Sequence, residues 1–179
     1  MLREISLGMA VIINIIIIFL WHFLSYLLSS TVGQKHVNYR SRPFRAWKFE
    51  RYGNFYVENF DIESWYMLLP IQMNRDNITR KNLEEAEIPK LKAYLLTTCR
   101  SEYCCLINCL YFFFAVIVNV PYLGFIAGAL VVLCNLPFIM ANRYLRFIVL
   151  REYAKKRKER EIAEYIKENN PDKYDLDSF

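Results

Sequence analysis

Two long stretches without a charged side chain, residues 5–34 and 103–142, decide what this chain can become. A helix needs about 20 residues to cross a hydrocarbon core of ~30 Å, and only a self-paired backbone can enter it. Residues 11–20 are nearly all Ile, Val and Phe, with Asn14 the one strongly polar side chain near the middle. Trp21, His22 and Tyr26 follow, as in a helix reaching the membrane interface. A cleaved signal peptide is the rival reading. The apolar stretch is longer than an ordinary signal core, offers no convincing small-x-small site, and is followed by Lys35, Arg40, Arg42, Arg45, Lys48 and Arg51. A retained span is therefore expected.

The second stretch is too long for one span and suits a hairpin. Asn119-Val120-Pro121 supplies the turn, because proline has no amide proton and disfavours helix at the residue before it. The two arms are expected near residues 103–118 and 122–141, with Pro137 as the expected kink. Apolar residues make up 55% of the chain and charged residues 23%, and the charges are segregated instead of interspersed. Segregation of that kind marks an all-α membrane protein with about three spans, a small cytoplasmic cap and a charged C-terminal helix. The expected parts are an anchor over 1–34, a cap over 35–102, the hairpin over 103–142 and a tail over 143–179.

Orientation follows from the basic residues. Of the 23 Lys and Arg, twelve lie between residues 29 and 103 and ten from Arg143 onward, leaving only Arg3 at the N-terminus and none at the hairpin turn. The positive-inside rule then places the loop and tail in the cytoplasm and the N-terminus outside a multi-pass cell-membrane protein. Within the loop, residues 61–69 (DIESWYMLL) read either as an amphipathic segment in the headgroup plane or as a buried helix of the cap. Ile88-Pro89 opens a helix expected to run on into the second span. The tail after Arg143 is helical by propensity, solvated or surface-lying, and ends at Asn170-Pro171.

The net charge of +5 comes without zinc ligands or an RNA-binding aromatic motif, so no nucleic-acid partner is expected. Basic residues beside apolar spans point instead to membrane lipid. Five cysteines without a CxxC pair make a poor disulfide framework and read as reduced, buried thiols. His22 and His36 have no ligand-spaced partners, so no metal is expected. P-loop, GxGxxG, GxSxG and HExxH patterns are absent. The chemistry then falls to polar groups near membrane depth: Arg100, Glu102, Asn108, Asn135, Asn142 and Arg143. An antiparallel hairpin brings Glu102 and Arg143 to the same leaflet, where they can pair and leave Arg100 for an anionic headgroup. A purely structural salt bridge locking the hairpin is the equal alternative.

An ordered set of short motifs runs through residues 44–147. It comprises Phe49-Glu50-x-x-Gly53-x-Phe55-Tyr56, Trp65 with Leu69-Pro70, Arg100-x-Glu102, Asn135-Leu136-Pro137, and Asn142-Arg143-Tyr144-x-Arg146. The set resembles the glycosyl-4,4'-diaponeurosporenoate acyltransferases, membrane enzymes that place a fatty acyl chain on a carotenoid glycoside. That resemblance implies Arg100, Arg143, Asn135, Asn142, Glu50 and Trp65 as substrate-binding residues. It also implies an acyl donor (acyl-CoA or an acyl carrier) and no covalently bound cofactor. The chain departs from the family pattern at Tyr66, where the family has Lys, and at Cys105 and Asn82, where it has His. With those positions changed, Glu102 becomes the candidate catalytic base and Cys105 a candidate acyl-accepting thiol. The competing reading is a catalytically degenerate relative that binds lipid or serves as a subunit of a membrane complex or homo-oligomer. A transporter or channel component is a third and weaker option.

Reporter fusions at residue 60 and at the C-terminus should both give a cytoplasmic signal. A fusion at residue 60 reading out as extracellular overturns the expected orientation.

Overall fold

The computed structural model describes residues 6–32, 37, 39–45, 47–70 and 80–169. Among these residues the regular elements are helical and no strand occurs. His36 and the expected helix end at Asn170-Pro171 lie outside the described residues. Helix α1 spans Leu7–Thr31 and starts on Ser6, whose hydroxyl accepts from the Met9 amide at 3.4 Å. Its buried residues are Ala10, Asn14, Ser25 and Ser29, while Ile12, Ile16, Phe19, Leu20 and Phe23 are exposed. Small and polar side chains therefore face the protein and large apolar ones face outward. That inversion suits a helix surrounded by hydrocarbon, where close backbone approach and interhelical hydrogen bonds hold helices together.

The cap begins with a 3-10 turn over Lys48–Gly53 and helix α2 over Asn54–Phe60. Gly53 sits at φ +101°, a left-handed conformation open to glycine at little cost, with Phe147 packed where a Cβ would point. Helix α3, Ile62–Trp65, and a 3-10 turn over Tyr66–Leu68 follow. Fully buried Ile62 packs with Tyr56, Tyr144 and Phe147, and the ring of Tyr66 meets Tyr144 edge-on at 5.5 Å. The segment 61–69 is thus folded onto the protein as part of the cap, although Leu68 stays 82% exposed.

Helix α4 covers Arg80–Glu85, and α5 covers Ile88–Cys109 with Pro89 in its first turn. The expected continuation from cap into membrane is present, so the boundary drawn at residue 102 falls inside one helix. At Leu110 the ladder tightens to i−3 bonds (Leu110 N to Ile107 O, 3.0 Å; Phe113 N to Leu110 O, 3.2 Å) before α6, Tyr111–Val118. The sequence reading did not anticipate that break. The turn falls where expected, because α7 starts at Pro121 and runs to Asn169. This helix passes through both Pro137 and the 142/143 boundary, a length of about 70 Å at 1.5 Å per residue. The tail is continuous with the span and its side chains over residues 151–162 are mostly exposed, which favours the solvated alternative over a surface-lying one. Three helical segments, Leu7–Thr31, Ile88–Val118 and Pro121–Ile162, are long and apolar enough to cross a membrane.

Two devices close the bundle at the turn end. Gly124 and Gly128, one turn apart on α7, let α6 approach closely; a Cβ on them would lie 2.4 Å from the Ala115 oxygen and 2.8 Å from the Phe112 Cα, respectively. The amides of Asn14 and Asn119 also bond reciprocally at 2.7 and 3.0 Å, with the Tyr111 hydroxyl donating to Asn14 Oδ1 at 3.2 Å. Each asparagine satisfies the other in surroundings that offer little water. Trp21 extends the same seam, donating to the Ile107 carbonyl at 3.2 Å and stacking on Phe114.

Replacing Gly124 by alanine forces a side chain against backbone and should destabilise the detergent-solubilised protein by about 1–3 kcal/mol. Gly8→Ala, with open space around it, serves as the neutral control. Equal melting temperatures for the two variants contradict the close approach.

Candidate functional site

Where α5, α7 and the cap meet, two carboxylates and two guanidinium groups are buried together. Glu50 is 0% and Glu102 1% exposed, and Arg143 and Arg146 lie one turn apart on α7. Arg143 grips Glu50 with a fork, Nε to Oε1 at 2.6 Å and Nη2 to Oε2 at 3.0 Å, and donates Nη1 to Glu102 Oε1 at 2.7 Å. Arg146 donates Nη2 to Glu102 Oε2 and Nη1 to the Phe44 carbonyl, the latter at 2.8 Å. The Tyr56 hydroxyl and the Trp47 amide complete Glu50 at 2.5 and 2.6 Å, and the Trp47 ring lies 5.1 Å from the Arg143 guanidinium. Charges balance within the cluster, and the four groups satisfy one another.

Burial alone would raise the Glu50 carboxyl. The Arg143 fork, the Tyr56 hydroxyl and the Trp47 amide together outweigh it and hold the group below its ordinary value of 4.5. Burial and the adjacent Glu50 carboxylate push the Tyr56 hydroxyl far above its usual range, so it stays a donor.

The expected Glu102–Arg143 pair is present, but Glu102 is poorly placed as a base. Both of its oxygens already accept from guanidinium groups, and its side chain is closed off from solvent. A proton acceptor needs a lone pair facing the substrate, and here one arginine would first have to leave. Glu50 and Arg143, expected to bind substrate, are likewise occupied with each other. Trp65 donates its indole N–H to the Phe60 carbonyl at 2.9 Å and packs with the cap's aromatic residues, which fixes the α2–α3 turn.

Arg100 behaves differently. Residues two apart on a helix face away from each other, so Glu102 points into the ionic cluster and Arg100 points out of it. Arg100 lines a cleft of about 570 Å³ between α1, α5 and α7, with Tyr26, Ser29, Ser101, Cys105 and Asn142 among its walls. Its Nε is buried and has no hydrogen-bond partner. Asn142 spends one amide proton on the Phe138 carbonyl at 2.8 Å. A second groove of about 530 Å³ lies further along α1 and α7, lined almost wholly by apolar side chains plus Asn14, His22 and Asn135. Asn135 donates to the Val131 carbonyl at 2.8 Å and accepts from Asn108 at 3.4 Å. His22 Nδ1 lies 3.0 Å from the Ile18 carbonyl, and the tautomer that donates from Nδ1 has Nε2 as its acceptor.

The seven expected site residues therefore separate. Arg100, Asn135 and Asn142 line the grooves; Glu50, Glu102 and Arg143 form the buried cluster; Trp65 stands apart. Arg146 was quoted in the motif without a role, yet its spacing from Arg143 places both on one helix face, and that spacing was the available signal. Tyr56 and Thr98, which also bond the cluster, carried no such signal. No group of three His, Cys, Asp or Glu side chains placed to hold a metal occurs among the described residues.

Glu50→Gln removes one charge and leaves Arg143 buried with one partner fewer, a change that costs about 3–5 kcal/mol in comparable pairs. Because the folded-state value of Glu50 is lowered, its contribution is full above the ordinary 4.5 and fades as the pH falls below that value. Thermal unfolding in detergent should show the wild type losing stability on acidification below that point, and E50Q losing less. Parallel acid limbs for the two proteins contradict the assignment.

No curated protein and no solved structure matches the chain. The sequence pattern of the family described as glycosyl-4,4'-diaponeurosporenoate acyltransferase matches residues 40–155, which takes in the ionic cluster, the α5 and α7 walls of the Arg100 cleft and both arms of the hairpin, but not α1. The chain belongs to the glycosyl-4,4'-diaponeurosporenoate acyltransferase family.

Proposed function

We propose that this protein transfers a fatty acyl group to a hydroxyl of a lipid-like or glycosylated acceptor at the cytoplasmic leaflet. The observation that carries the reading is the Arg100 cleft, a cationic opening at the head of an apolar groove, within a chain of an acyltransferase family. The positive-inside count supports a cytoplasmic position for this end of the bundle, the side on which an acyl-CoA or acyl-carrier donor is available.

In the transfer, the acceptor oxygen forms a bond to the acyl carbonyl carbon. The bond from that carbon to the donor's sulfur or oxygen breaks, and the acceptor's proton passes to a base before reaching the leaving group. Among the described groove residues His22 is the imidazole, the side chain most often used for such proton transfer, and in the tautomer that donates from Nδ1 its acceptor is Nε2. Arg100 and Asn142 supply donors at the mouth for an anionic or oxygen-rich head. The buried cluster holds α5 and α7 in the register that sets these groups, which makes Glu102 a positioning residue in this reading.

A second reading, a lipid-binding or assembly subunit without catalysis, is favoured by the occupied oxygens of Glu102 and by Cys105 and Tyr66 at positions where the family has His and Lys.

Purified protein in vesicles, given palmitoyl-CoA and a glycosylated lipid acceptor, should form acyl ester. His22→Ala should slow transfer about 10²–10⁴-fold while leaving the fold intact. Undiminished transfer by H22A removes the histidine from the reaction. Absence of transfer by the wild type across acyl-CoA and acyl-carrier donors, with acyl lipid still co-purifying, establishes the second reading in place of the first.

A further inference from the structure

The Arg100 cleft and the apolar groove share the same two walls. On α1 the groove ends at His22, and the cleft takes over at Tyr26, one turn on; on α7 the groove ends at Asn135 and the cleft resumes at Phe138. From Val11 to Ser30 the α1 wall is about 28 Å long at 1.5 Å per residue, close to the full depth of a ~30 Å hydrocarbon core. The upper part is lined by side chains such as Ile15, Ile18, Ile126 and Leu130, and water has little to bind there. The lower part changes character: among the described residues no Asp or Glu lines it, while Arg100, Ser101 and Asn142 do.

Arg100 carries the weight of the argument. Arg100 Nε is buried without a hydrogen-bond partner, the half-buried side chain lines the cleft, and a positive group near the membrane boundary selects an anion. Elsewhere in this molecule buried guanidinium is fully used: Arg143 and Arg146 together occupy two carboxylates and several backbone carbonyls. Arg100 has no ion pair among the described residues, and it faces the cleft instead of Glu102.

We propose that this lane is a binding site for a phosphate-headed membrane lipid, with the phosphate on Arg100, Ser101 and Asn142 and one acyl chain lying along α1 and α7. Such a lipid reaches the lane sideways from the bilayer, since the apolar wall opens toward hydrocarbon, and its headgroup stays at the boundary. The proposal rests on the acyl-transfer reading only for what the lipid is used for, as substrate or acyl source. Binding is measured without turnover, so the two can fail separately.

The test uses the full chain in a non-ionic detergent and native mass spectrometry with two amphiphiles of equal chain length, 1-palmitoyl lysophosphatidate and 1-palmitoylglycerol. Wild type should bind the phosphate-bearing amphiphile at least about tenfold more tightly, the scale of one charge-assisted hydrogen bond. Arg100→Gln should abolish that preference while leaving the weaker binding of palmitoylglycerol in place. Ala127→Trp, which fills the apolar groove, should weaken both. Equal binding of the two amphiphiles by wild type, or a preference that survives R100Q, overturns the phosphate site. Displacement of the lysolipid by millimolar inorganic phosphate shows a free-anion site and overturns the lipid assignment, as does unchanged binding by A127W. Melting temperatures of R100Q and A127W close to wild type confirm that the variants fold.

Discussion

Two buried carboxylates held by two arginines of one helix turn are the constraint on which this structure turns. Glu50 comes from the cap, Glu102 from α5, and Arg143 and Arg146 from α7, so a single cluster joins the three parts that meet at the cap end of the bundle. Replacing such a cluster wholesale by apolar side chains can be neutral, but removing one member leaves an uncompensated charge. That asymmetry makes it a register device: slide α7 by one turn against α5 and the cap, and both carboxylates lose their partners. The cap cannot lift off either, because Arg143 also holds the carbonyls of Pro43 and Arg45.

At the opposite end the same problem is solved without charge. There the reciprocal amides of Asn14 and Asn119 tie the first span to the hairpin turn, and Gly124 and Gly128 bring α6 and α7 together. In hydrocarbon the apolar side chains have nothing to gain from one another over lipid, so close approach and paired polar groups carry helix association. The exposed Ile, Leu and Phe of α1 and its buried Ala, Asn and Ser follow from that rule.

Between these two ends lie the grooves, and the separation of roles follows from helix geometry. Position 102 on α5 serves the cluster and position 100 serves the cleft because two residues are about 200° apart on a helix. The cluster fixes the α5 and α7 walls, and the Arg100 guanidinium faces the space beside them. Rigid support beside an unsatisfied group is what a binding site needs, and it places Arg100, not Glu102, at the centre of the functional reading.

Residue order alone determined a good deal. Charge-free runs of the right length, a proline after Asn119 and the clustering of basic residues define three membrane helices, the hairpin turn and an expected orientation, since bilayer thickness and backbone pairing leave few alternatives. Ordered motifs from Glu50 to Arg146 also carried the family. Tertiary structure decided what the motif residues do. Glu50 and Arg143 lie 93 positions apart in the chain, and nothing in their spacing says that they form a fork. Asn14 and Asn119 read as isolated polar residues until the fold sets them face to face. Whether a polar side chain at membrane depth is satisfied or free depends on which helix face meets which neighbour, and that is settled only when three helices pack.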